Sequence, residues 1–304
     1  MTQFMNKAAR PGGEVLLAGR PVARVGYGVM QLADRPGRAP LPAEEAIALL
    51  RRAVELGVNH FDTAQFYGAG LANDLIRSAL APYDDDIVLV SKIGADHVDA
   101  PVPLKPAQKP EELRASVEDN LASLGVEQLA VVNLRRLDIQ PGLLATGDQV
   151  VSLDDQLAEL VALRAEGKVE AIGLSNIRLD QLQQALPAGI ACVQNAYSLL
   201  ERSGEPLLDL CGREGIAWAP FFPLGSAFPG RPKVTDQAAV KATARALGVT
   251  PSQVGLAWLL QHAPNILLIP GTSSVDHLRE NVAAAEIAIP AEMIAHLEAD
   301  PGSA

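Results

Sequence analysis

An aspartate, a tyrosine and a lysine follow two short apolar segments of the chain. Asp62 ends the segment 59–62, Tyr67 comes after a short loop, and Lys92 ends the segment 87–92. Reduction of a carbonyl group by hydride transfer leaves an alkoxide that needs a proton, and a phenol donates that proton more readily when a nearby cation favours its phenolate. Lys92 can be that cation, and Asp62 can pair with it in a dry site. These residue types favour carbonyl chemistry with Tyr67 as the acid.

The hydrophobic pattern predicts elements that would bring these residues together. Apolar segments of strand length alternate with amphipathic segments of helix length. The predicted strands are residues 25–30, 59–62, 87–92, 129–135, 171–174, 191–194, 217–221 and 266–269. The predicted helices are residues 43–56, 71–80, 111–124, 153–166, 179–186, 206–214, 237–247 and 251–262. Polar residues that end parallel strands meet at one face, where barrel enzymes carry their active sites.

Eight alternating units favour an α/β protein with a closed (β/α)8 TIM barrel over an open parallel sheet. The segments 14–17 and 20–25 flank Ala18-Gly19 and predict an N-terminal β-hairpin that covers one barrel end. The segment 99–110 contains four prolines and is predicted to be a long loop above the active site. Since the composition does not change along the chain, residues 1–304 are interpreted as one domain.

Bulk composition excludes several classes of function. With 48% hydrophobic residues the chain can bury a large core, and its formal net charge of −11 repels nucleic acids and anionic membranes. Cys192 and Cys211 lack the spacing of metal ligands and are expected to be free thiols, so no metal is predicted. The N-terminal residues lack a long apolar stretch, and no apolar segment is long enough to span a membrane, which favours a cytoplasmic location.

Several motifs, in this order and spacing, resemble the aldo-keto reductase family over nearly the whole chain. They are Gly26-Tyr27-Gly28-Val29-Met30, Phe61-Asp62-Thr63-Ala64 with Tyr67-Gly68, Lys92, Gly173-Leu174-Ser175-Asn176, Gln194-Asn195, Pro223-Leu224-Gly225, and Ile269-Pro270-Gly271 through Glu280-Asn281. The resemblance implies a barrel enzyme that uses NADP(H) to reduce a small carbonyl substrate, with Asp62, Tyr67 and Lys92 in the catalytic site.

The resemblance also implies which residues bind the cofactor. Ser175, Asn176 and Gln194 match the positions that hydrogen-bond the nicotinamide carboxamide, and Phe221 matches the position that stacks on its ring. The first-strand positions are Gly28, Val29 and Met30; the pyrophosphate loop is Leu224, Gly225 and Ser226; the adenosine positions are Gly271, Thr272, Ser273, His277, Glu280 and Asn281. Without the resemblance, several of these would be interpreted as helix caps, turn residues or core aromatics.

The chain departs from the family pattern at two places. Arg135 stands where most members have a histidine at the end of the fourth strand. Strand alternation places Asn133 and Arg135 on one side, so Arg135 is predicted to polarise the carbonyl and Asn133 to bind substrate. The alternative is an ion pair with Asp138, which the alternation favours for Arg136. At the adenosine site, two positions commonly occupied by lysine and arginine are glycine and histidine here, and NADP(H) stays the predicted cofactor.

Within the family, the amino-acid sequence around the first, fourth, seventh and eighth strands is similar to that of bacterial pyridoxal reductases. This implies that the substrate is pyridoxal and the product pyridoxine. Three alternatives remain open: a reductase of another small aldehyde or sugar, an aldolase that forms a Schiff base on Lys92, and a cofactor-sensing module that regulates a partner.

Overall fold

The computed structural model describes residues 9–33, 41–100, 103–225 and 232–299. Within these ranges the strands are β1 Glu14–Leu17, β2 Arg20–Ala23, β3 Tyr27–Gly28, β4 His60–Asp62, β5 Val88–Ile93, β6 Ala95–His97, β7 Leu104–Pro106, β8 Leu129–Arg135, β9 Val169–Ser175, β10 Ile190–Gln194 and β11 Ala217–Trp218.

The α-helices are α1 Ala43–Glu55, α2 Leu71–Leu80, α3 Pro110–Leu124, α4 Leu153–Ala165, α5 Leu179–Ala185, α6 Glu205–Glu214, α7 Ala238–Leu247, α8 Pro251–His262, α9 Val275–Ala283 and α10 Ala291–Ala299. Short 3-10 helices occupy Val29–Leu32, Gly147–Gln149, Leu186–Ala188, Val234–Asp236 and Ala284–Glu286. Every helix predicted from the sequence is present, within one residue at each end. No helix of the described ranges combines the length and the apolar character needed to cross a bilayer.

Seven parallel strands form one sheet in the order β11-β10-β9-β8-β5-β4-β3. The predicted eighth strand, residues 266–269, contributes two parallel bridges that join the sheet's edges, Trp218 with Ile266 and Val25 with Leu268. The Gly26 N–H donates to Leu268 O at 2.8 Å and the Leu267 N–H to Trp218 O at 2.8 Å. The sheet is therefore closed into a (β/α)8 barrel, as predicted.

The antiparallel hairpin β1–β2 covers one end of this barrel. Leu17 and Val22 are buried and pack with interior residues such as Val88 and Ala217, which lie at the amino ends of their strands. Asn59 ties the hairpin to the barrel, because its side chain accepts from the Ala23 N–H at 2.9 Å and donates to Pro21 O at 3.0 Å. The opposite, carboxyl end is left open for a site.

Three predicted elements differ from the structure. Val29 and Met30 form a 3-10 turn rather than the end of the first strand, which buries Val29 and Leu32 on one face. The seventh strand ends at Trp218 rather than Phe221, because Pro220 lacks the N–H that a regular ladder needs. The predicted loop 99–110 contains β7, which pairs with β6 as a second hairpin.

Candidate active site

The structure brings Asp62, Tyr67 and Lys92 together at the carboxyl end of the barrel. Asp62 and Lys92 lie on the adjacent parallel strands β4 and β5, and both are buried. The Lys92 ammonium donates to Asp62 Oδ1 and, at 3.2 Å, to the backbone oxygen of Thr63. Lys92 Nζ lies 5.1 Å from the centre of the Tyr67 ring. This is the arrangement that the sequence predicted for an acid supported by a cation.

Electrostatics keep the Lys92 side chain charged in this dry position. Burial acts to lower the pKa of Lys92, but the charge and hydrogen bond of Asp62, together with Tyr67, outweigh it and raise the pKa above its usual value. The second oxygen of Asp62 accepts a hydrogen bond from Gln194 Nε2 at 2.6 Å. Both carboxylate oxygens of Asp62 are thus fixed, and they fix Lys92 in turn.

Two of the predicted nicotinamide residues present polar atoms that no described residue satisfies. Ser175 and Gln194 end the neighbouring strands β9 and β10 and pair in register. Ser175 Oγ and Gln194 Oε1 are buried and lack a hydrogen-bond partner among the described residues. Since an unsatisfied buried polar group is costly, this pair fits a ligand that carries both an acceptor and an N–H donor. A carboxamide has both, so these residues fit the nicotinamide carboxamide.

Asn176, the third residue predicted to bind the nicotinamide carboxamide, uses its side chain for hydrogen bonds within the protein. Its Nδ2 donates to Ile139 O at 2.9 Å and to Arg136 O at 3.2 Å, and its backbone is in the left-handed region with φ of 58°. Asparagine tolerates this conformation better than most residues. Asn176 therefore holds the loop that follows β8 in addition to any contact with cofactor.

Arg135 and Asn133 point into the barrel from β8, as the alternation predicted. The Arg135 guanidinium lies 5.8 Å from the centre of the Phe221 ring, and its Nη2 is 3.4 Å from Pro141 O. The predicted ion pair forms at Arg136 instead, which binds Asp138 at 3.0 Å. Asn133 is fully buried beside Lys92 in the register of the sheet, and both of its amide atoms lack a partner among the described residues.

Glycine at position 173 makes room for the Asn133 side chain. A Cβ atom there would lie 2.0 Å from Asn133 Oδ1. The Gly173 of the Gly-Leu-Ser-Asn motif therefore has a packing role inside the barrel, in the same strand β9 that ends in Ser175.

The predicted adenosine residues form a separate segment that adjoins the first strand. Gly28 and Gly271 lie so close that a Cβ on Gly271 would be 2.7 Å from Gly28 O. The Tyr27 hydroxyl donates to Thr272 O, a contact that the Gly-Tyr-Gly sequence alone did not predict. This places the turn 271–274 against the barrel.

The other residues predicted to bind the cofactor differ in how deeply they are buried. Val29 is packed in the core, so only its backbone can reach a ligand, while Met30, Leu224 and Gly225 are half-buried. Helix α9 begins after Ser274, whose hydroxyl caps the His277 N–H at 3.4 Å. His277 is exposed, Ser273 and Glu280 are half-buried, and Thr272 and Asn281 are buried. Ser226 lies outside the described residues.

A cleft of about 1050 Å³ opens at the carboxyl ends of β8, β9 and β10. Its walls come from the loops that follow β8, β9, β10 and β11, and include Pro141, Gly142, Asn176, Asn195 and Phe222, but not Tyr67 or Lys92. The cleft therefore lies next to Asn176 and Asn195, which directly follow the predicted nicotinamide residues Ser175 and Gln194. Pro141 and Gly142 were not among the residues predicted for the site, although a Pro-Gly pair after the fourth strand is a signal for a turn at that end of the barrel.

Metal and disulfide chemistry are not indicated in the described ranges. No group of three or more His, Cys, Asp or Glu side chains there is arranged to hold a metal ion. Cys192 and Cys211 are free and buried, as expected, and burial raises the pKa of both thiols.

Comparison with known sequences identifies relatives over nearly the whole chain. Residues 24–299 match the family described as the Aldo/keto reductase family. Pyridoxine 4-dehydrogenase of Escherichia coli (strain K12) is 45% identical over 285 residues, which cover 93% of this chain and 96% of that protein. Uncharacterized oxidoreductase C215.11c of Schizosaccharomyces pombe is 34% identical over 294 residues, 95% of this chain and 90% of that protein.

Solved structures show the same fold. A thermostable aldo-keto reductase crystallised with the inhibitor epalrestat superposes with a TM-score of 0.78 at 25% identity, covering 95% of this chain and 99% of that one. An aldo-keto reductase from Klebsiella pneumoniae in complex with NADPH superposes with a TM-score of 0.77 at 24% identity, covering 94% of each chain.

Proposed function

Because the chain belongs to the aldo/keto reductase family, we propose that it reduces a small aldehyde with NADPH, and that this aldehyde is pyridoxal and the product pyridoxine. The observation that carries the proposal is the buried Lys92–Asp62 pair beside Tyr67. The identity of 45% to a pyridoxine 4-dehydrogenase supports the choice of substrate.

NADPH supplies the hydride that adds to the carbonyl carbon when it is bound. Ser175 and Gln194 would hold its carboxamide through the two buried atoms that lack partners. Phe221, Leu224 and Gly225 would contact the nicotinamide ring and the pyrophosphate. Crystal structures of fold neighbours with NADPH and with NADP support the choice of cofactor.

The chain's own residues supply the proton and the charge. The Tyr67 hydroxyl donates its proton to the carbonyl oxygen as negative charge develops there. The Lys92 ammonium favours the phenolate that remains, and Asp62 holds the ammonium in place with help from Gln194. Arg135 stays charged at any working pH and cannot donate a proton in this range, so Tyr67 is the acid.

Preference for NADPH over NADH is proposed for the same site. Gly271 and His277 occupy the positions that commonly carry the cations for the 2′-phosphate, so the hydroxyls of Thr272 and Ser273 and the N–H groups at the start of α9 would contact it. Dissociation constants for NADPH and NADH, measured by quenching of tryptophan fluorescence, test the preference. Equal constants would contradict it.

The activity assay is direct. Purified protein is incubated with NADPH and pyridoxal, the loss of NADPH absorbance is followed, and pyridoxine is identified by chromatography. Pyridoxine formation above that of heat-treated protein is expected. A panel of aliphatic aldehydes and aldoses run in parallel identifies a reductase of another substrate. If NADPH binds but no carbonyl compound is reduced, the barrel is a cofactor-sensing module instead.

A further inference from the structure

Arg135 carries a positive charge that the described part of the chain leaves unpaired. Its only polar contact there is the long one from Nη2 to Pro141 O, at 3.4 Å, and no carboxylate in those ranges lies within ion-pair distance. The neighbouring Arg136 differs, because it binds both Asp138 and Gln156. In a chain with a net charge of −11, an arginine without an acidic partner is conspicuous.

The surroundings of Arg135 desolvate its charge without neutralising it. Burial lowers the pKa of Arg135, an effect that Tyr67 partly offsets. One side of the guanidinium faces the Phe221 ring at 5.8 Å. A half-buried guanidinium with free N–H donors is a binding group for an anion.

The guanidinium lies where a substrate in the reductase site would meet it. Pro141 and Gly142, which lie next to its Nη2, also line the cleft at the carboxyl ends of β8, β9 and β10. A Cβ atom on Gly142 would lie 3.2 Å from Nη2, so glycine keeps this approach open. Arg135 also pairs in register with Ser175, whose hydroxyl has no hydrogen-bond partner among the described residues. Its side chain therefore extends from the strand end beside the predicted nicotinamide position, and it lies close enough to Tyr67 for the phenol to affect its pKa.

We propose that Arg135 selects aldehydes that carry an oxyanion on the ring carbon next to the aldehyde. This inference rests on the proposed function and names its substrate class. In such compounds the ring oxygen and the carbonyl oxygen lie side by side, and the two parallel N–H donors of a guanidinium match two adjacent oxygens. Pyridoxal, with its ring hydroxyl adjacent to the aldehyde, belongs to this class.

The charge also has an electronic consequence. An oxyanion next to an aldehyde donates electron density to the carbonyl carbon and so opposes hydride addition. A fixed cation on that oxygen withdraws the density again and stabilises the alkoxide that forms. A histidine at this position would carry its charge only at low pH, whereas arginine carries it throughout. Arg135 therefore favours substrates that a neutral site would reduce poorly.

The test compares three aldehydes that differ at one ring position. They are 3-hydroxypyridine-4-carbaldehyde, its 3-methoxy analogue and pyridine-4-carbaldehyde, each with NADPH. Wild-type protein is expected to prefer the 3-hydroxy compound in kcat/KM by roughly 10- to 100-fold, the range of a charge-assisted hydrogen bond. Addition of pyridoxal 5′-phosphate to the panel shows whether a phosphate is selected instead of the ring oxygen.

Variants at Arg135 test whether this residue causes the preference. In Arg135→Met the kcat/KM ratio of the 3-hydroxy to the unsubstituted compound should fall to one or below, whatever the loss of overall rate. Arg135→Lys, which keeps the positive charge but not the two parallel N–H donors of the guanidinium, should give an intermediate ratio. Arg213→Met is the control, because Arg213 is an exposed cation on α6 whose only contact among the described residues is Asp209 O at 3.4 Å; it should keep the wild-type ratio.

A second readout uses pH. For 2-hydroxybenzaldehyde, whose phenol ionises at mildly alkaline pH, the ratio of kcat/KM to that of benzaldehyde should rise as the substrate ionises in wild type and fall in Arg135→Met, where no cation offsets the electron density of the oxyanion. The benzaldehyde reference cancels the titration of the enzyme itself.

The outcomes separate this inference from the proposed function. If wild type reduces all three pyridine aldehydes at similar kcat/KM, or if Arg135→Met keeps the preference, Arg135 does not select the oxyanion although the reductase activity stands. Selection of pyridoxal 5′-phosphate alone would assign Arg135 to a phosphate and also overturn the inference. If no aldehyde is reduced, the proposed function itself fails.

Discussion

Gln194 on β10 donates a hydrogen bond from Nε2 to Oδ2 of Asp62 on β4, at 2.6 Å, across the interior of the barrel. The two residues are 132 positions apart in the chain. Gln194 Nε2 therefore bonds to a residue of the predicted catalytic group, while Gln194 Oε1 lacks a partner among the described residues and is predicted to bind the carboxamide. Occupation of the cofactor site and the position of the Asp62–Lys92 pair are physically connected through this one side chain.

Gln194→Leu is expected to weaken NADPH binding about tenfold and to lower kcat as well, because both hydrogen bonds of the side chain are lost. Fluorescence titration gives the dissociation constant, and steady-state kinetics with pyridoxal gives kcat. The matched control is Gln128→Leu, since the exposed Gln128 only donates to Gly167 O at 2.9 Å. A variant that binds NADPH normally would contradict the role of Oε1.

The buried Lys92–Asp62 pair should behave as a unit in unfolding experiments. Lys92→Met and Asp62→Leu each leave one buried charge unpaired, which costs about 3–5 kcal/mol of unfolding free energy. The double variant removes both charges, so its loss should be much smaller than the sum, although it stays inactive. Denaturant unfolding of the four proteins measures the coupling.

A surface pair serves as the reference for that cycle. Lys168 Nζ lies 2.6 Å from Glu118 Oε1 and 3.3 Å from Glu166 Oε2 at the surface, so Lys168→Met should lower the unfolding free energy much less than Lys92→Met or Asp62→Leu. Additive losses for Lys92→Met and Asp62→Leu would show that the buried pair is not coupled.

Local patterns were enough to predict the barrel, and they also explain the errors. Period-two alternation correctly separated Arg135 from Arg136, because successive strand residues point to opposite faces. The apolar run 25–30 was interpreted as one strand, but apolarity alone does not distinguish a strand end from the 3-10 turn that Val29 begins. The hairpin β6–β7 was missed because its second strand ends in Pro106.

Contacts in the site between residues far apart in the chain could not be predicted from the sequence. The positions of Asp62, Lys92 and Gln194 followed from strand ends, but the hydrogen bond between Asp62 and Gln194 depends on how the whole barrel closes. The same is true of the C-terminal helix α10, which was not predicted; its Glu298 accepts from Trp258 Nε1 at 3.0 Å. Such contacts depend on distances between elements, which residue patterns do not specify.

Tyr67→Phe separates catalysis from binding. Removal of the acid should lower kcat by about 10²- to 10⁴-fold, while the dissociation constant of NADPH changes by less than about twofold because the phenol makes no predicted cofactor contact. Tyr83→Phe is the control, since the Tyr83 hydroxyl donates to Leu124 O at 2.7 Å, remote from the barrel interior. Undiminished turnover in Tyr67→Phe would exclude Tyr67 as the acid.

His60 should make the stability of the protein depend on pH. It is buried inside the barrel against Gly26, where a Cβ atom would lie 2.1 Å from its Nε2, and neither ring nitrogen has a partner among the described residues. Burial lowers the pKa of His60 from 6.5 to about 4. Between these values the unfolded chain binds the proton and the folded chain does not, so the unfolding free energy rises with pH across this window and is fully present above it.

The contribution of His60 lost on acidification from pH 6.5 to 4 is roughly 3 kcal/mol. In His60→Asn, the unfolding free energy measured by denaturant at a series of pH values should change across this window by that much less than in wild type, even if the variant is less stable overall. His97→Asn, which removes an exposed imidazole on β6, is measured beside it as the control for loss of an imidazole. Parallel curves for wild type and His60→Asn would mean that the buried imidazole is already protonated in the folded barrel.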